Sequence, residues 1–242
     1  KETPAVLRPW PLTRATRSMG GLITHVHDLL RYARFHLGDS SAAQQPVLQP
    51  PSVAQMAAPQ VMVWGDEGRG LSWGTNKAGG VPTLGHGGGT LGQISQLTLV
   101  PSRGFAIAVF TNAQRGGELT RAVVEWALKH YLGLETPTPK ALESSAEELA
   151  PYVGLYHNMM TQVELGLLNG RLVGQTVYRQ GFPTNDTPPP PPPAPMTLAR
   201  AEADRLIILD GEMKETLVDV VRTPEGEIGW LRAGGRLLRK VS

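Results

Sequence analysis

The chain has 242 residues, 40% of them apolar and 18% charged, which is enough to fill a core and excludes a disordered polyelectrolyte. Its 23 Lys and Arg nearly balance 21 Asp and Glu and are scattered along the sequence, so a pI near 9.0 does not by itself mark a nucleic-acid surface. There are no cysteines, which removes disulfides, thiolate nucleophiles and thiolate metal ligands, and the longest apolar run, Phe105 to Phe110, is far below the ~18 residues that span a bilayer.

The sequence opens on Lys1 with no signal-peptide pattern, so the expectation is a processed form or a piece of a longer protein. "SMGGLITHVHDLLRYARFHLGD" predicts a Gly-Gly turn, Thr24 as an N-cap, and a helix to about Leu37 with Val26, Leu29, Leu30, Ala33 and Leu37 on one face. Gly38 ends it, and Pro50-Pro51 opens a short second helix. The period then changes. "QVMVW", "GLSWGT", "VPTLGHG", "GQISQLTLV" and "GFAIAVFTN" are short apolar or alternating runs between glycine-rich turns, the pattern of an antiparallel meander. Residues 118 to 132 return to helical spacing, and Leu119, Ala122, Val123, Trp126 and Leu128 are predicted to pack on the sheet.

Residues 136–150 read as a linker, with Ser145 and Glu148 forming a capping box that opens a short helix. From 151 to 242 the pattern is all-β. "QVELGLLNGRLVGQTVY" is two alternating strands around Asn169-Gly170, a two-residue hairpin signal, and later runs continue at the spacing of a small barrel. Within it, prolines 188 to 193 donate no backbone hydrogen bond and predict an exposed polyproline II loop, a stiff spacer. The expected domains are therefore 1–135 and 151–242, joined by that linker.

The stretch "GHGGGTLG", residues 85 to 92, sets a histidine beside an unobstructed backbone. An oxyanion hole, a phosphate cradle and a flexible turn all use glycines in this way. A phosphate cradle needs the glycines to open a helix, and here an alternating strand follows. "GLSWG", residues 70 to 74, matches the G-x-S-x-G nucleophile elbow, but no helix pattern follows Ser72 and the His-Gly-Gly-Gly lies downstream of it, so Ser72 reads as an ordinary strand residue. His25 and His27 stand two apart on a predicted helix and point to different faces, so no metal site is expected; His36, His130 and His157 read as solvated or locally bonded.

The ordered set "GGLITHVHDLLRYARF", "GLSWG", "LGHGGGTLGQISQLTLVPSRGFAIAVFTN" and a terminal amphipathic helix, covering residues 18 to 132, resembles the C-terminal half of the serine β-lactamase and penicillin-binding-protein superfamily. The closest branch is the class C-like group that includes esterases and D-amino-acid peptidases. The resemblance implies an α+β fold: a partial β-lactamase/transpeptidase-like antiparallel sheet with flanking helices, followed by a small antiparallel barrel of lipocalin-like type. It implies that His86 takes the place of the motif lysine of the Lys-Thr-Gly strand, that Gly87, Gly88 and Thr90 line the substrate edge, and that the N–H of Gly89 is one oxyanion donor. It implies no cofactor and no metal, and export as the location of many members.

One departure limits the carry-over. The superfamily's nucleophile lies in Ser-x-x-Lys, and no lysine here has a serine three residues before it: Gly74, Trp126, Pro137, Gly211 and Leu237 stand there instead. Tyr156-His157-Asn158 matches the second motif in letters but falls after the His-Gly-Gly strand. The expected partner is the chain's own upstream half, or another copy by strand exchange, and the expected substrate of the completed enzyme is a small ester, amide or β-lactam. The competing expectation is a non-catalytic binding or regulatory module whose barrel recognises a partner.

Overall fold

In the computed structural model the described residues are 12, 14–39, 47–90, 92–113, 115–137, 139–181, 186–211 and 213–241. They divide into two compact units, Lys1–Thr136 and Pro137–Ser242.

The first unit is built on a six-stranded antiparallel meander, β1 (Val61–Trp64), β2 (Glu67–Arg69), β3 (Gly74–Ala78), β4 (Val81–Thr90), β5 (Gln93–Val100) and β6 (Phe105–Thr111), in sheet order β1-β2-β3-β4-β5-β6. Short loops force this order, because an antiparallel neighbour is the only strand a two-residue turn can reach. The β3–β4 turn is Gly79-Gly80, both with positive φ, as a two-residue hairpin demands. Four helices precede or follow the sheet: α1 (Arg17–Gly20), α2 (Val26–His36), α3 (Pro50–Ala57) and α4 (Gly116–Leu132).

Because side chains alternate along a strand, the sheet has two distinct faces. On one, Ala33 of α2 packs with Trp73, Leu84, Leu97 and Leu99. On the other, Leu128 of α4 packs with Ala78, Val100 and Leu134. The sheet is thus a middle layer between α2 and α4. Helix α2 begins one residue later than expected: His25 is the N-cap, its Nδ1 accepting from the Asp28 N–H at 3.2 Å. Gly38 follows its end with φ +80°, as expected.

Helix α4 corrects the sequence reading. Part of the stripe expected to face the sheet is turned outward, leaving Leu119 58% and Trp126 56% exposed, whereas Leu128 is buried as expected, together with Thr120 and Ala127. A buried threonine is tolerated because its Oγ1 donates to the Gly117 carbonyl at 2.9 Å, one turn back.

In the second unit, α5 (Ala146–Leu149) leads into β7 (Gly154–His157), β8 (Thr161–Leu168), β9 (Arg171–Tyr178), β10 (Met196–Glu202), β11 (Arg205–Ile208), β12 (Leu217–Arg222), β13 (Ile228–Ala233) and β14 (Arg236–Lys240). These eight strands form an up-and-down closed barrel, β14 pairing back onto β7 through Arg239↔His157 and Lys240↔Tyr156. The capping box is present, Ser145 Oγ accepting from the Glu148 N–H and Glu148 Oε2 accepting from the Ser145 N–H. Asn169 and Gly170 both have positive φ, the geometry of a type I′ turn. Eight strands enclose just enough space for side chains to fill. Here they do: Tyr156, Leu165, Leu172, Leu206 and Ile208 are wholly buried in one cluster, and Tyr156 Oη donates to the Tyr152 carbonyl at 2.8 Å. Prolines 188 to 193 lie exposed outside any strand between β9 and β10, the Pro193 carbonyl accepting from Gln175 Nε2 at 3.0 Å.

Candidate functional site at the open edge of β4

All of Gly85 to Thr90 belongs to β4. On one side β4 is paired with β5 along its length, through His86↔Leu97, Gly87↔Gln96, Gly88↔Ser95, Gly89↔Ile94 and Thr90↔Gln93. On the other side its ladder with β3 stops at Gly74↔Gly85. Among the described residues, the backbone from His86 to Thr90 therefore has no strand on its outer side.

Register decides which groups that edge presents. Thr90 and Gln93 flank a two-residue connection, so they form a hydrogen-bonded pair, and bonded and non-bonded pairs alternate from there. The N–H and C=O of Thr90, Gly88 and His86 are directed at β5. Those of Gly89 and Gly87 are directed away from it, toward the open edge. The alternation continues into Gly85, which faces β3 and meets Gly74 there. Gly92, with φ +77°, lies in the turn that makes this register possible.

The glycines are also explained by what lies over them. A Cβ on Gly88 would sit 2.6 Å from Ser95 Oγ, and one on Gly87 would sit 2.9 Å from Gln96 Oε1. The Gln96 amide is held in place by donating to the Leu97 carbonyl at 3.2 Å and to Thr98 Oγ1 at 3.3 Å. At Gly89 the nearest described atom to an added Cβ is Ile94 Cδ1 at 3.5 Å, an ordinary contact, so no described residue crowds that position.

His86, Gly88 and Thr90 share the face of the sheet that carries Leu84 and α2, and the His86 side chain is exposed there. The structure thus places His86, Gly87, Gly88, Gly89 and Thr90 on one strand, with His86 on a face and the Gly87 and Gly89 amides along the edge. Chemically, this combination offers backbone donors to an anionic oxygen at the edge and an imidazole, able to accept or donate a proton, beside it.

Sequence reasoning missed the buried polar atoms on the same face. His36, read as solvated or locally bonded, is 8% exposed and packs edge-on against Trp73 with ring centroids 5.1 Å apart, and against Tyr32 at 4.5 Å. Burial holds its pKa below the ordinary histidine value. His36 Nδ1, Trp73 Nε1 and Thr75 Oγ1 have no hydrogen-bond partner among the described residues. The only signal in the sequence was His36 falling three residues after Ala33, on the apolar side of its helix. Ser72 departs from expectation in lying in an exposed bend with φ +67° instead of in a strand, while strand β3 and no helix follows it, as expected. His157, read as solvated or locally bonded, has a partner distant in sequence, its Nδ1 lying 3.0 Å from Arg179 Nη1.

Among the described residues no three His, Asp or Glu side chains gather as a metal site, and no helix is long and apolar enough to cross a membrane.

Comparison with known proteins gives this edge its context. A family model described as Beta-lactamase matches residues 1–130. "Penicillin-binding protein 4" of Amycolatopsis lactamdurans is 30% identical over 154 residues, which is 60% of this chain and 40% of that protein. The crystal structure of SurE with D-Leu superposes with a TM-score of 0.62 at 21% identity, covering 89% of this chain and 49% of that one. A second SurE structure gives 0.60 at 23% identity, covering 89% and 48%. The chain therefore spans less than half the length of each of these relatives. With a serine-hydrolase-like sheet, a glycine-lined strand edge and a matched model that covers more than half of its residues, the chain belongs to the Beta-lactamase family.

Proposed function

We propose that this chain supplies one wall of a serine hydrolase active site, and that the nucleophile comes from residues outside it. The observation that carries the reading is the alternation along β4, which leaves the Gly89 amide at an edge no described strand occupies. In the proposed reaction a serine Oγ adds to the carbonyl carbon of an ester, amide or lactam, and the carbonyl π electrons move onto oxygen. The Gly89 N–H donates to that oxyanion, beside a second amide from the nucleophile's own residue. The tetrahedral species collapses, the leaving alcohol or amine departs with a proton, and water then cleaves the acyl-serine. His86 either holds the substrate's carboxylate or passes the proton, and needs no cofactor for either.

Two features support a missing complement. Strand β6 is apolar along its length, with α2 against one face and α4 against the other, yet among the described residues it ends the sheet. A strand so composed and so covered is an interior strand lacking a neighbour. The outward stripe of α4 is the second: Leu119 and Trp126 form an apolar surface beside His130, which stacks on Trp126 at 4.8 Å. The upstream half of the same protein fits both, and a second copy by strand exchange is the other partner of this chemistry. The penicillin-binding-protein name of one relative and the D-Leu in a structural neighbour's title favour a substrate with a D-amino-acid residue at the scissile bond.

The test reconstitutes the chain with its upstream segment and assays nitrocefin, a chromogenic ester and a D-leucine anilide. Gly89→Pro removes a single N–H, one the β5 ladder does not use, at a position where an edge strand tolerates proline. The expected result is a loss of about 10²–10³ in kcat with the circular dichroism spectrum unchanged. Full activity in this variant, or turnover by the chain that does not rise when the upstream segment is added, would overturn the proposal.

A further inference from the structure

The six consecutive prolines 188 to 193 play no part in the site, in the barrel core or in any strand. Their position along the chain is informative nonetheless. Proline's ring fixes φ and makes its nitrogen a secondary amine, so a run of prolines is slow both to accept and to donate in peptidyl transfer on the ribosome. The exit tunnel is roughly 100 Å long and holds about 30 to 40 residues at ~3.3 Å each or less. While prolines 188 to 193 are being added, the last residue outside is therefore roughly residue 148 to 163.

That window falls between the two units. The first unit ends at Thr136, and the barrel's first strand runs from Gly154 to His157. We infer that the proline run times synthesis, keeping β8 and β9 in the ribosome and β10 to β14 unmade while the sheet unit folds. A paused chain exposes all six strands of the sheet and at most one of the eight barrel strands. Any residues translated before Lys1 are outside as well.

Rates show why a delay matters. At ~5–20 residues per second, β8 begins to emerge only ~1–5 s after Thr136, the last residue of the sheet unit. Sheet-rich domains fold in about milliseconds to seconds, so without a delay the two processes overlap. The cost of overlap is specific to this fold: β6 presents an unpaired edge, and β8 (Thr161–Leu168) alternates in a way that would satisfy it. A pause lets β6 find its proper neighbour first. The timing stands independently of the hydrolase reading; only the identity of that neighbour as an upstream strand rests on it.

The experiment translates the full chain in a reconstituted system with and without the elongation factor that accelerates proline–proline bond formation. A second template carries Pro189→Ser, Pro191→Ser and Pro193→Ser. The expected result is a paused nascent chain of roughly 190 residues on the unaltered template, in which the first unit resists protease. The soluble yield is expected to fall by about twofold or more when the pause is removed. Adding the factor to the unaltered template removes the pause without changing the protein, so an effect of the serines on native stability is separated from an effect of timing. Absence of a pause at the prolines, or equal soluble yield with and without it, would overturn the inference, and neither outcome touches the assay of Gly89→Pro.

Discussion

His36 is a titratable group in an apolar place. With Tyr32, Phe35 and Trp73 around its ring and its Nδ1 unpartnered among the described residues, it is held neutral, and burial lowers its pKa from 6.5. In the unfolded chain the same ring takes up a proton as the pH falls through about 6.5, so there the unfolded state binds more protons than the folded one. Stability therefore declines as the pH drops from 7 toward 5, and is recovered as the pH rises through the unfolded value. Thermal melts of the sheet unit should show that decline, and His36→Leu should flatten it; an unchanged slope in the variant would assign the acid sensitivity elsewhere. A second buried group acts with opposite chemistry. Asp219, on β12, accepts from Arg205 Nε at 2.8 Å and from Arg232 Nε at 2.9 Å, one guanidinium from each neighbouring strand. Asp219 and Arg205 are buried and Arg232 is partly so, and removing the shared anion leaves two cations facing each other. Asp219→Asn is expected to cost about 3–5 kcal/mol, read as an earlier urea midpoint of the barrel transition.

The elements legible in the sequence are those whose information is local. The Ser145–Glu148 capping box, the Asn169-Gly170 turn, the proline start of α3 and five strands of the meander follow from residues within a few positions of one another, whereas β2 lies in a stretch read as a glycine-rich turn. Helix α4 is different because it is apolar on two sides. Periodicity picked a stripe with Leu119, Trp126 and Leu128, of which packing kept Leu128 and added Ala127 and a threonine that satisfies itself on its own backbone. Ser72 was misread because a positive φ on a non-glycine residue is imposed by the neighbouring structure. At the candidate site, the strand and its glycines were readable, and their cross-strand partners Ser95 and Gln96 were not, since register is a property of the pair. Strand β6 carries its own expectation. If its outer edge seeks a partner, the chain alone associates with itself as concentration rises, and Phe110→Lys, which sets a charge on that exposed edge, shifts it toward monomer in light scattering while changing stability by only about 0.5 kcal/mol. A monomer at all concentrations before the substitution would leave the edge without a role in association.

As a whole the chain joins two units with opposite relations to their own strand edges. Among the described residues the sheet unit leaves the outer sides of β1 and β6, and the stretch of β4 from His86 to Thr90, without a paired strand. The barrel keeps none, because β14 closes on β7, and Tyr156, Leu172 and Leu206 are packed within it. The seam has one more consequence. The Val241 N–H donates to the Leu155 carbonyl at 2.9 Å, which brings the first and last residues of the barrel side by side. A short bridge between them would allow circular permutation, with new termini cut at Asn169 and Gly170 and every rung of the ladder preserved.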